Sequence, residues 1–253
     1  SEQNFTTATD SYNTAVGSSA GQKVSTGTLN TLIGGSAGIA LTTGSENVVV
    51  GYEALKNEDG HGKNTAIGTQ TLFAQNAGAN ALNTAVGYQA GASTETGGQN
   101  TLVGGLSADA LTTGSENTAL GQAALGQDTK GNKTVAVGNG ALATQNFTTS
   151  TDSNNTAVGY VAGLSITTGL SNTLIGALTG DALTDADFNV AIGLGSLGAD
   201  TRGSKSVAVG TAALQAQNFE TATDSHNTAV GHNAGNDVTT GKFNTLIGSL
   251  AGD

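Results

Sequence analysis

The sequence predicts an all-β protein, a parallel β-solenoid or β-roll of about 14 coils. A five-residue motif, Asn-Thr-Ala-Val-Gly or a close variant, recurs 14 times, and it usually returns at every seventeenth position. The motif is rich in β-branched residues and closes with Gly, as strands often do. Gly is too frequent for helices, and the apolar spacing lacks a helical period. A strict short period is typical of solenoids, in which one unit stacks on the next.

Each coil is numbered here from the first residue of its motif. Position 5 is Gly in all 14 coils, position 4 is always Val, Ile or Leu, and position 8 is always small. Positions 1 to 5 are predicted to form a strand. Because successive strand residues point to opposite faces, positions 2 and 4 share one face and position 3 lies on the other. Both faces carry an apolar row, so one row should fill the coil and the other should pack on something else, most simply another copy of the chain.

The rest of each coil is predicted to contain a second short strand and a turn. The Thr-rich stretch at 41–43 is an example of the second strand. Position 15 is usually Gly, as at Gly44, and predicts the turn that returns the chain to the next motif.

Position 1 is Asn in 12 of the 14 coils. Stacked in register, these side chains are predicted to form an amide ladder that stabilises the solenoid. The alternative interpretation is a row of ligand-binding amides. The residues concerned are Asn13, Asn30, Asn47, Asn64, Asn83, Asn100, Asn117, Asn155, Asn172, Asn189, Asn227 and Asn244.

Every fourth turn is lengthened, which groups the coils into four-coil blocks of similar length. The lengthened segments begin at Gln3, Gln75, Gln145 and Gln217. Regularly spaced loops on a rigid scaffold are candidate recognition sites, although their Phe residues could instead pin the loops to the body. The charged turns at 59–63, 128–133 and 200–205 are predicted to be solvated ion pairs. The candidate recognition residues are Phe5, Asp10, Asn76, Phe147, Asp152, Phe219 and Asp224.

Composition narrows the choice of partners. The net charge is −11 with only eight Lys and Arg, so nucleic acid and anionic membrane surfaces are poor partners. No apolar run approaches the roughly 20 residues of a membrane span. Zero Cys excludes disulfides and thiolate metal sites. Since Met is absent, residues 1–253 are expected to be a single β-solenoid domain within a longer fibrous protein.

Motifs that carry chemistry are not found. The three His residues, His61, His226 and His232, lie in no recognisable metal motif. Phosphate-binding loops and nucleophile elbows are missing too, and the acidic residues are scattered. We therefore expect a non-enzymatic chain without a cofactor or a metal.

The motif variants Thr134–Gly138 and Ser206–Gly210 resemble the Ser-Val-Ala-Ile-Gly signature of YadA-like heads in trimeric autotransporter adhesins. The run 83–90 is similar to repeats in phage tail-fibre and bacterial surface proteins. The resemblance covers nearly the whole chain, although the adhesin repeat is usually shorter than the repeat of this chain. It implies a left-handed β-roll, a homotrimer and a role in attachment.

The leading functional hypothesis is therefore an adhesive fibre segment on a cell surface or phage particle. It would be extracellular and would bind itself and an unknown surface receptor or glycan. An ice-binding solenoid is the alternative, because Thr pairs such as 42–43 and 112–113 recur, although charged residues interrupt that row. A glycan-processing spike is a third interpretation, disfavoured by the missing acid cluster.

Overall fold

The computed structural model describes residues 10–253. It is an all-β parallel β-solenoid of about 14 turns, as predicted, and equivalent positions recur at about every seventeenth residue. The described residues contain no helix. The chain divides into two compact units, the first ending at Gln122 and the second spanning Ala123–Asp253. Each unit is described by itself.

Residues 10–122 of the first unit contain seven three-residue strands, each covering positions 2 to 4 of its coil. Consecutive strands pair in parallel with equal positions opposite each other, as in Thr14↔Thr31 and Val16↔Ile33. The strands are β1 (Thr14–Val16), β2 (Thr31–Ile33), β3 (Val48–Val50), β4 (Thr65–Ile67), β5 (Thr84–Val86), β6 (Thr101–Val103) and β7 (Thr118–Leu120).

The second unit repeats this ladder and adds two short strand pairs at its lengthened turns. The ladder strands are β9 (Val135–Val137), β11 (Thr156–Val158), β12 (Thr173–Ile175), β13 (Val190–Ile192), β15 (Val207–Val209), β17 (Thr228–Val230) and β18 (Thr245–Ile247). The short strands are β8 (Gly131–Asn132), β10 (Thr151–Asp152), β14 (Gly203–Ser204) and β16 (Thr223–Asp224), of which β8 pairs with β10 and β14 with β16.

The Thr-rich stretch does not form the predicted second strand. The chain bends at Thr42 and Thr43, and single backbone bonds link it to neighbouring coils, as from the Thr42 N–H to the Asp59 carbonyl at 2.6 Å. The Thr42 hydroxyl donates to the same carbonyl at 2.9 Å. This side of the coil is therefore linked to the next coil by isolated backbone and hydroxyl bonds, and the chain bends there without a regular ladder.

One of the two apolar rows is buried and the other is exposed, as the alternation of side chains along a strand requires. The position-3 side chains fill the coil, and Val49 and Leu174 are completely buried. The position-4 side chains face outward, with Ile33 38% and Ile175 39% exposed. One row therefore forms the core, and the other lies on the outer face of the strands.

The packing of the core repeats every four coils. Coils that carry Leu at position 3 stack on neighbours that carry Gly or Leu at position 9. A Cβ added to Gly163 would lie 2.8 Å from Leu174 Cδ1 and 2.9 Å from Leu142 Cδ2. Large side chains from adjacent coils thus occupy the space that Gly leaves, which is how dense interiors avoid voids.

The position-1 Asn side chains bond mainly to the backbone, not to one another. The Asn189 amide oxygen accepts the Ser206 N–H at 2.9 Å, and its Nδ2 donates to the Gly203 carbonyl at 2.8 Å. Direct amide contacts are also present, as between Asn47 Nδ2 and Asn30 Oδ1 at 3.1 Å. Asn189 therefore joins the next coil to its own returning turn, and Asn100 and Asn172 make the same pair of bonds, whereas Asn64 Nδ2 has no such partner.

Replacing Asn189 with Ala should lower the free energy of unfolding by about 2 kcal/mol, because it leaves a buried N–H and a buried carbonyl unpaired. Urea unfolding followed by circular dichroism measures this loss. The control is Asn236→Ala, since the Asn236 amide donates to the exposed Asp237 carboxylate, at 3.3 Å. Equal effects of the two substitutions would contradict a stabilising role for Asn189.

Candidate functional site

The Phe residues of the lengthened segments are packed against the body. Phe147 is 5% and Phe219 6% exposed. Their rings are therefore not accessible to a ligand at the surface and serve to anchor the segments. Phe5 lies outside the described residues.

The polar candidates of these segments are exposed. Asp152 accepts a hydrogen bond from Lys133 Nζ at 2.6 Å, and Asp224 accepts one from Lys205 Nζ at 2.5 Å. These bonds hold the pKa of both carboxyls below the usual range of Asp.

The remaining two candidates lie in other segments. Asp10 accepts the Tyr12 hydroxyl at 2.9 Å, and the exposed Asn76 donates its backbone N–H to the Glu95 carbonyl at 2.9 Å. The Asp10 contact is made within its own segment, and the Asn76 bond reaches the neighbouring coil.

The charged turns at 128–133 and 200–205 begin with a fully buried carboxylate, and the turn at 59–63 directly follows one, which corrects the expectation that these turns are solvated. Glu58, Asp128 and Asp200 are each 0% exposed. Exposed ion pairs are formed by Lys133 with Asp152 and by Lys205 with Asp224. Burial of a carboxylate is costly unless donors surround it.

The buried carboxylates hold the lengthened segments in place through such donors. Asp200 Oδ1 accepts the N–H groups of Gly203 at 2.9 Å and Phe219 at 3.2 Å, while Gln217 Nε2 donates to Oδ2 at 2.5 Å. The equivalent Gln145 donates to Asp128 at 2.7 Å. The arrangement is structural, since each carboxylate oxygen bonds to the protein itself.

A sequence signal for this network exists at position 12, which the sequence analysis did not use. Position 12 is Leu in the second coil of each block, acidic in the third and Gln in the fourth. The acidic members are Glu58, Asp128 and Asp200, and their Gln neighbours are Gln75, Gln145 and Gln217.

The outer face of the strands is a candidate interaction surface. Position 4 is apolar in every coil, and no charged residue occupies positions 2 to 5 of any coil. Exposed Tyr52, Tyr88 and Tyr160 extend this face at position 6. Large exposed apolar surfaces mark interaction sites.

A groove of about 480 Å³ lies in the second unit, lined by Leu178, Leu194, Ala199, Ala212 and Asp181 among others. Leu178 is 42% and Leu194 52% exposed. Burial raises the pKa of the Asp181 carboxyl. The groove is suited to an apolar side chain more than to a charged ligand.

The Thr-rich side is a poor surface for ordering water. The Thr184 hydroxyl donates to the Thr201 carbonyl at 3.0 Å, so it bonds to the protein. Arg202 and Asp185 form an exposed ion pair at 3.4 Å beside this row. These contacts interrupt the regular array of free hydroxyls that the ice-binding alternative needs.

Among residues 10–253, one group of side chains could hold a metal ion. Single ligand atoms of Glu58, Asp59 and His61 lie within 4.8 Å of one another. Asp59 and His61 belong to a turn in which the sequence showed no metal motif.

Comparison with protein families, curated proteins and solved structures finds no match to this chain. Within residues 10–253, no helix is long and apolar enough to cross a membrane. The candidate surfaces must therefore be interpreted from their own chemistry.

Proposed function

We propose that this chain is a non-enzymatic structural segment of an adhesive fibre. The observation that carries the proposal is the exposed, uncharged apolar face of the strands. In this proposal the face packs against copies of the chain, and the lengthened segments remain outward to contact a surface receptor or glycan.

The chemistry of the face supports self-association. A chain with a net charge of −11 keeps positions 2 to 5 free of charge in all 14 coils. Full burial of one Val or Ile side chain stabilises by about 1.5–3 kcal/mol. The position-4 side chains of the described strands are only partly exposed, so burial of each one in the assembly contributes a fraction of that free energy. Because the side chain recurs in every coil, these contributions add up along the face.

A closed homotrimer is the assembly we propose, with left-handed coils and an extracellular location. The outer face of the strands in each chain would then point to the threefold axis of the trimer. The position-4 rows of the three chains would meet there, with equal coils side by side. The resemblance of 134–138 and 206–210 to YadA-like heads supports this choice over an open pair.

Light scattering of the purified chain tests the assembly. The expected mass is three times the chain mass of 24.7 kDa. The double variant Ile175→Glu, Ile192→Glu should dissociate into monomers, because it places carboxylates in the apolar contact. The control is Thr149→Glu, Thr221→Glu, which adds the same charge at exposed loop positions and should stay trimeric. A monomeric wild type would contradict the proposal.

Attachment needs a separate measurement. The intact chain should bind one class of immobilised glycan or extracellular-matrix protein, and removal of the exposed Asp152 and Asp224 side chains should weaken this binding without changing the mass. Binding to none of these surfaces would overturn the adhesive role while leaving the trimer intact.

A further inference from the structure

We propose that Glu58, Asp59 and His61 form a binding site for a divalent transition metal ion such as Zn²⁺. The ligand set is one imidazole nitrogen and two carboxylates, a combination of donors that Zn²⁺ accepts. The site lies in the first unit and is independent of the outer apolar face.

The spacing of the donor atoms fits a shared ion. His61 Nδ1 lies 3.4 Å from Glu58 Oε1. Two ligands that are each about 2.0–2.2 Å from a tetrahedral Zn²⁺ are separated by roughly 3.4 Å. Asp59 lies on the exposed side of the same turn and has an oxygen within 4.8 Å of both other donors. The Asp59 carboxylate can supply the third protein ligand, and a water molecule can occupy the fourth coordination position.

The buried nitrogen of His61 is the second observation that points to a ligand. The His61 side chain is 31% exposed, but its Nδ1 atom is buried and makes no hydrogen bond among the described residues, its nearest acidic oxygen being Glu58 Oε1 at 3.4 Å. Leaving a buried polar atom unpaired costs about 1–3 kcal/mol. The adjacent Glu58 carboxylate is 0% exposed, and its contacts are the N–H groups of His61 at 3.0 Å and Ala77 at 3.3 Å. A cation between Nδ1 and Oε1 would satisfy the nitrogen and neutralise the carboxylate.

The other two blocks provide an internal comparison. Where the first block has Asp59, the others have Thr129 and Thr201, and where it has His61, they have Gly131 and Gly203.

Those two glycines are required by the local packing. A Cβ at residue 131 would collide with the Asp128 carboxylate, and one at residue 203 would collide with that of Asp200. The first block differs again in that Gln75 Nε2 donates to the Glu95 carbonyl, at 3.3 Å, and not to the buried acid. The buried acid is common to the three blocks, whereas Asp59 and His61 are specific to the first, where an imidazole lies beside the acid and the Gln amide bonds elsewhere.

Titration of the intact chain with Zn²⁺ by calorimetry tests the proposal. We expect one Zn²⁺ per chain and a higher unfolding temperature, because an ion that binds only the folded state stabilises it. His61→Gly and Asp59→Thr introduce the residues of the other blocks, so both variants should fold. His61→Gly should weaken Zn²⁺ binding at least tenfold, and Asp59→Thr should weaken it to a smaller degree.

The control variant is His232→Asn, which removes an exposed imidazole elsewhere and should bind Zn²⁺ as the wild type does. Nitrogen NMR of the imidazoles should show Zn²⁺ shifting the Nδ1 signal of His61 and leaving those of His226 and His232 unchanged. Absence of Zn²⁺ binding to the wild type, or equal binding by His61→Gly, would overturn the proposal.

Discussion

Gly104→Ala is expected to lower the free energy of unfolding by about 4 kcal/mol or more, the range of the largest single-residue effects. Gly104 occupies position 5 with a φ of +137°, which strains any residue that has a Cβ. An added Cβ would also lie 2.6 Å from the Gly121 carbonyl carbon in the next coil. That atom belongs to the backbone of the strand ladder, so it cannot move aside without separating the coils. Urea unfolding followed by circular dichroism measures the effect.

The matched control is its neighbour in the chain, Gly105→Ala. No atom lies within 4 Å of a Cβ built at Gly105, and its φ is outside the left-handed region. A surface substitution of this kind should change stability by no more than about 0.5 kcal/mol. If Gly104→Ala were as mild as Gly105→Ala, coil stacking would not be what requires Gly at position 5.

Asp200→Ala is expected to lower the free energy of unfolding by about 3 kcal/mol or more, because each buried donor left without an acceptor costs about 1–3 kcal/mol. The substitution leaves the buried N–H groups of Gly203 and Phe219 and the amide of Gln217 without their acceptor. Because Phe219 anchors the lengthened segment, amide hydrogen exchange should accelerate over 217–225 before the ladder strands are affected.

Asp224→Ala is the control for this prediction. Asp224 belongs to the same segment and pairs with Lys205, but both side chains are solvent-exposed. Its removal should leave the urea midpoint nearly unchanged, because exposed ion pairs stabilise little. Equal losses for Asp200→Ala and Asp224→Ala would show that burial of the carboxylate is unimportant.

The strand at positions 2 to 4 was predictable because alternation is a local property. Val49 and Val50 are adjacent, yet Val49 is fully buried and Val50 is not, as the two-residue period requires. The prediction of a second strand was wrong, because it rested on composition and not on alternation. A Thr-rich composition is compatible with strands, but at Thr42 the hydroxyl and the N–H both bond to one carbonyl of the next coil, and the chain bends there.

The buried acids show a different limit. An Asp beside Lys and Gly in a polar turn has the composition of a solvated loop, and nothing local marks Asp128 as buried. Its burial depends on Gln145 and on the Phe147 N–H, which donate to it from the next coil. The same dependence on distant residues explains why Glu58 and His61 formed no visible metal motif: their usefulness as ligands depends on burial.

The sequence by itself determined the coil period, the strand in each coil, the presence of two apolar rows on opposite faces and the four-coil block, because each is a repeat or an alternation along the chain; the structure decided that the position-3 row is the inner one. Only the tertiary structure decided which polar residues are buried and what they contact, since those contacts form between coils. It placed Phe147 and Phe219 inside, turned the Asn side chains toward neighbouring backbone, and brought the Glu58 carboxylate to the His61 imidazole. Burial is a property of the stack, and for that reason the chemistry of this protein is visible only once its coils are assembled.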